Sequence, residues 1–155
     1  MRHFSLSSWD ILYSQNKDAI EYENYLDGVR SLLPSGLVSL TTRKSGVSLN
    51  DSTIQSIETS IQEQTVVFCL NGRWIKETVV GLRTFRLQYK GVTRVTSSVA
   101  PDLHGLFGGG YGNHGFDEVE VLKEGLFEHR MLFSSGIEIA VQFSDFVLDY
   151  TDFSK

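Results

Sequence analysis

Apolar positions recur at helical spacing between Asn16 and Leu33: Ile20, Tyr22, Tyr25, Leu26, Val29, Leu32 and Leu33 fall on one stripe of period near 3.6. Asn16 can cap the start, and Asp18 and Glu21 sit where the helix dipole favours negative charge. Pro34 and Gly36 end the element, and Gly28 weakens it from within. The preceding segment, Met1 to Gln15, holds Trp9, Ile11, Leu12 and Tyr13 without an assignable period.

After Leu40 the pattern changes. Thr41 to Ser52 is polar around Gly46 and reads as a loop. Beyond it the period shortens to two, with β-branched and aromatic residues dominant. Ser52 to Ser60 is a strand in which Ile54 and Ile57 have opposite parity, so a bulge or twist is expected there. Gln64 to Asn71 sets Val66, Phe68 and Leu70 on one face, and Asn71-Gly72 signals a turn. Val80 to Tyr89 alternates Phe85, Leu87 and Tyr89 with Thr84, Arg86 and Gln88, and Val92 to Ser97 continues as a strand. Cys69 lies within a strand and reads as a small core residue.

The last third carries two three-residue loops ending in glycine, Lys123-Glu124-Gly125 and Ser134-Ser135-Gly136, as expected for bulged hairpins. The first pairs Leu122 with Leu126, and hence Val121 with Phe127, Val119 with His129 and Glu118 with Arg130. The second pairs Phe133 with Ile137, Met131 with Ile139, His129 with Val141 and Phe127 with Phe143. Both registers assign the same face as apolar, and a one-residue slip would mix the faces, which is costly where one is buried. Phe146 to Tyr150 follows as a further strand. The expected fold is therefore α+β and mostly β: one domain over 1–155, with a helix at 16–33 packed on an antiparallel sheet or sandwich over 52–150.

With 155 residues and 41% hydrophobic content, the chain can bury a core without metal or disulfide support. A single cysteine excludes an internal disulfide and fits a reducing, cytoplasmic setting. No apolar run follows Arg2 as in a signal peptide, and no stretch reaches the roughly 20 apolar residues of a membrane span. The net charge of −5, with basic residues scattered, argues against nucleic acid and suits a basic protein partner.

Candidate chemistry gathers in the last third. His129 falls mid-face between Val119 and Val141, with Asp117 diagonal to it: an Asp-oriented base or ligand group, or else a hydrogen-bonded core histidine. Glu120 and Glu128 oppose each other on the outer face near Glu118. This like-charge pair invites a cation or a partner's Arg or Lys, unless both splay into water. Gly110, Gly112 and Gly115 spell G-x-G-x-x-G, but Phe116 to Val121 after them is strand-like, whereas a dinucleotide site needs a helix there. What remains is a surface loop whose Tyr111, His104 and His114 could contact a ligand. His104, His114, Asp117 and His129 are the available metal-ligand types; their spacing matches no zinc pattern. No G-x-S-x-G nucleophile motif occurs, and no cofactor is called for.

Ser48-Leu49-Asn50-Asp51-Ser52-Thr53-Ile54 with Ile57, the strand Val66 to Leu70, and Ile137-Glu138-Ile139 through Phe143 and Asp145-Phe146 resemble small bacterial β-domain families. Some of these look like immunity proteins that neutralise a toxin. That resemblance implies a non-catalytic protein-binding domain, an antagonist of a basic toxin. Asn50 stands where the commoner form of the motif has His, so no catalytic role is carried over. Two other expectations stand beside it: a metal- or small-ligand-binding domain or enzyme built near the glycine loop, and a homo-oligomer joined through a strand edge.

Overall fold

The computed structural model describes residues 3–4, 17–42, 47–76, 79–99 and 110–153. The periodic N-terminal segment forms α1, Lys17–Val29, closed by a 3-10 turn at Arg30–Leu32. Its buried face is Ala19, Tyr22 and Leu26; Ile20 and Leu32 of the expected stripe point to solvent. Gly36 lies inside a further helix and ends nothing, whereas the first helix does end ahead of Pro34. That residue, with φ −53°, leads directly into a short second helix, α2, Ser35–Thr41, which buries Leu37 and Leu40. A proline just ahead of a helix costs no hydrogen bond, because the first turn's N–H groups lack partners anyway.

Eight strands follow: β1 Thr53–Ser60, β2 Thr65–Lys76, β3 Val79–Lys90, β4 Arg94–Val99, β5 His114–Lys123, β6 Leu126–Phe133, β7 Ile137–Phe143 and β8 Asp145–Phe153. They form two antiparallel four-stranded sheets of order β1-β2-β3-β8 and β4-β7-β6-β5. The parity conflict in β1 is a bulge, since its register with β2 steps from Ile54↔Leu70 to Ser56↔Cys69. The turn expected at Asn71-Gly72 is absent, and β2 runs straight through to Lys76. A Cβ at Gly72 would lie 2.9 Å from the Phe85 ring and 3.1 Å from Ser52, so the glycine serves close packing within a strand. Cys69 is half-buried rather than core, on the face opposite Phe68 and Leu70.

The C-terminal meander forms with Val119↔His129, Glu120↔Glu128 and Val121↔Phe127 on one side of β6, and Phe127↔Phe143, His129↔Val141 and Met131↔Ile139 on the other. At the first tip Lys123, not Leu122, faces Leu126, because the register shifts between Val121 and Lys123. Gly125 and Gly136 take the left-handed conformation that these loops require (φ +70° and +81°).

The two sheets run into each other on both flanks. On one, β3 passes into β4 beside the passage of β7 into β8, where Ser144 N donates to Lys90 O at 3.0 Å and Thr93 N to Gln142 O at 3.0 Å. On the other, β1 and β5 meet at a Thr53↔Asn113 bridge, with His114 N donating to Ser52 O (2.7 Å) and Asp51 N to His114 O (2.9 Å). The strands thus wrap around one core shared by Phe68, Phe85, Leu87 and Tyr89 of the first sheet and Val119, Phe127, Met131, Val141 and Phe143 of the second. The helix α1 caps the β5 edge: Val119 N donates to Tyr22 Oη (2.6 Å) and Val121 N to Tyr25 Oη (2.8 Å). No helix among the described residues is long and apolar enough to cross a membrane.

Candidate functional site

The start of β5 is where chemistry collects. Its register with β6 jumps from His114↔Phe133 to Phe116↔Leu132, which leaves Gly115 as a bulge. One extra residue inverts the side-chain alternation. His114 and Asp117, three apart, therefore come together, His114 Nε2 lying 3.8 Å from Asp117 Oδ1. Asp117 Oδ2 lies 3.6 Å from His129 Nε2, and His129 Nδ1 meets Tyr89 Oη at 2.7 Å. The result is a connected row, Tyr89–His129–Asp117–His114, in which Asp117 is the member that reaches the surface.

Tyr89 and His129 are fully enclosed, His114 is 1% exposed, and the Asp117 side chain is 24% exposed. Burial holds the Tyr89 phenol well above its ordinary pKa, helped by the Asp117 charge, so it stays protonated. The roles in this bond follow the imidazole tautomer: a phenol that donates to Nδ1 goes with a ring proton on Nε2, which faces Asp117. At 3.6 Å that approach is too long for a hydrogen bond and is an electrostatic contact. Burial pushes the Asp117 carboxyl up, but His129 and then His114 outweigh it, leaving the group below the usual carboxylate range. His114 moves the other way. Burial pushes it down to about 4 against the pull of Asp117 and Asp51, so the ring is neutral near pH 7.

His114 Nδ1, His114 Nε2 and His129 Nε2 have no hydrogen-bond partner among the described residues. An unpaired buried polar atom is rare and costly, and it calls for a partner that the described residues do not supply. Beside it lies a cavity of about 510 Å³, bounded by Tyr22 and Leu26 of α1, by Val47 to Asn50, and by His114 to Asp117 of β5. It occurs where the β5 edge changes neighbours, between the Ser52 seam at His114 and the Tyr22 contact at Val119.

Of the residues singled out in the sequence, the fold brings His114, Asp117 and His129 together; His104 lies outside the described residues. Tyr111 packs its ring on Phe133 at 5.7 Å, apart from the row. Among the described residues no group of three or more His, Cys, Asp or Glu could hold a metal. The opposed Glu120 and Glu128 do sit across from each other, and Arg130 of their own sheet supplies the cation between them. Arg130 Nη2 is 3.2 Å from Glu120 Oε2 and also contacts Glu128, while Nη1 is 3.9 Å from Glu118. Glu118 is 3% exposed and accepts the His3 and Phe4 amides at 2.7 and 2.8 Å; Glu128 is 7% exposed and accepts from Gln142 Nε2. These acids are engaged within the chain.

Tyr89 was not singled out in the sequence as a site residue, and Ser48 to Asn50 only as part of a resemblance. Tyr89 was visible as a core-facing residue, and its hydroxyl, once buried, demanded a partner. The wall formed by Val47 to Asn50 depends on the β1–β5 seam, a contact between distant segments with no local signature. In comparisons with known proteins the chain matches no family model, no curated protein and no solved structure.

Proposed function

We propose that the chain is a binding protein that seats a small molecule in the cavity between α1, Val47–Asn50 and the start of β5. The carrying observation is His114: both ring nitrogens lack a partner in the wall of a cavity of about 510 Å³, within the size range of small-molecule sites. Asp117, partly exposed and ionised, supplies the second polar contact. The test is a thermal melt of the full chain with a small-molecule extract of its host. A ligand present at about 100 times its Kd adds close to 2.7 kcal/mol and raises Tm by several degrees. Ser48→Trp, at an exposed position on the cavity wall, should fold normally and abolish the rise. An equal rise in wild type and variant places the ligand elsewhere and ends this reading.

The net charge of −5 supports a second reading, capture of a basic protein by an immunity-type antagonist. Glu120, half-buried beside Arg130, and Tyr111 are the candidate contacts nearest the surface. Stoichiometric recovery of one basic partner that Glu120→Lys no longer captures would support it, and capture unaffected by that charge reversal would count against it.

A further inference from the structure

We propose that the cavity selects an organic cation, a partly aromatic molecule whose protonated amine pairs with Asp117. This rests on the cavity being a binding site and adds the class of ligand.

The first support is the carboxylate in the wall. The Asp117 side chain is 24% exposed and lines the cavity, whereas His114 Nε2, 3.8 Å from Asp117 Oδ1, is enclosed behind it. An ammonium donates in several directions from one nitrogen, which suits the two oxygens of one carboxylate. The second is the charge of the wall. Asp117, ionised at pH 7, is a charged side chain of the described lining. The third is the apolar part. Phe4, Tyr22 and Phe116 line the same cavity, Phe4 stacked on Phe116 at 4.9 Å and 7° and edge-on to Tyr22 at 5.6 Å. Aromatic rings beside a carboxylate favour a cation attached to an apolar body, through ring quadrupole and apolar contact together. Burial keeps His114, behind Asp117, uncharged, so it does not repel the amine.

The same site disfavours anions. A carboxylate or phosphate would meet the Asp117 charge at close range in a partly desolvated pocket.

The test titrates the full chain at pH 7 with three probes of matched size: 2-phenylethylamine, 2-phenylethanol and phenylacetate, followed by amide NMR and calorimetry. The amine is expected to bind at least about tenfold tighter than the alcohol, with phenylacetate weakest, and to shift the Gly115 and Asp117 amides. Asp117→Asn should bring the amine down to the level of the alcohol. The wild-type ranking stands on its own if that variant folds poorly. Equal binding of amine and alcohol, tighter binding of phenylacetate, or amine binding unchanged in folded Asp117→Asn would each overturn the cation assignment. Binding of none of the probes at millimolar concentration would also overturn it. Ser48→Trp-sensitive stabilisation by host extract would then leave the cavity reading standing with another ligand class, and its absence would remove both.

Discussion

His114 is the residue that a chain selected for stability alone would not keep. Each unpaired buried polar group costs roughly 1–3 kcal/mol, and this ring carries two. It packs edge-on to Phe133 at 5.6 Å and makes no hydrogen bond through its ring, so His114→Phe should leave stability at pH 7 unchanged or raised while ligand binding is lost. The same residue sets a pH dependence. Folded His114 titrates at about 4 against 6.5 for a free histidine, so between those values the unfolded chain binds a proton that the folded chain does not. Stability therefore falls as pH drops through that window, by up to about 3 kcal/mol. Asp117 acts lower down: its depressed pKa gives stability that is present above its ordinary 3.8 and lost as pH falls below it. Urea unfolding at several pH values between 7 and 4.5 should show the loss in wild type and a flatter profile in His114→Phe; parallel profiles would show that His114 does not titrate as its burial demands. Deeper in the row, Tyr89→Phe strands His129 Nδ1 without its 2.7 Å partner and should cost about 1–3 kcal/mol in the same assay.

Among the elements, β5 depends most on its neighbours. Among the described residues its outer edge receives no strand beyond the β1 seam; two tyrosine hydroxyls of α1 accept its Val119 and Val121 amides instead. Tyr22→Phe and Tyr25→Phe should each remove about 1 kcal/mol, and hydrogen exchange should speed up about fivefold at the matching amide: Val119 for the first, Val121 for the second. Uniform acceleration along β5 would mean that α1 contributes general packing only. How far such elements could be read from sequence follows from where their determinants lie. The β6 registers were legible because glycine-ended loops and a period of two are local, and the β1 bulge because Ile54 and Ile57 break parity within one strand. Gly72 misled because a glycine needed for packing against Phe85 looks the same in sequence as one needed for a turn. Asp117 near His129 followed from register. His114 did not, because Gly115 inverts the alternation and the β1–β5 seam joins segments more than 50 residues apart.

At the scale of the whole molecule, the one core exists because two long excursions, β3–β4 and β7–β8, cross between the sheets side by side. Gly91 sits at that crossing with φ +59°, and a Cβ there would come within 2.1 Å of Ser144 Oγ and 3.2 Å of Ser144 Cβ. Two costs are therefore separable. The left-handed backbone alone charges an alanine about 1 kcal/mol, as it should at Gly125, whose φ is +70° and whose would-be Cβ meets nothing within 4 Å. Gly91→Ala bears that cost and must also swing the Ser144 hydroxyl away from Lys90 O, its 3.3 Å partner. Gly125→Ala thus calibrates the backbone term, and Gly91→Ala should exceed it by about 0.5–1 kcal/mol. In a Ser144→Gly background the excess should vanish, giving a coupling energy of that size in a double-mutant cycle. Additive effects would mean that the two strands do not press together at the crossing, and the single wrapped core that holds His114 against Asp117 would lose its main physical support.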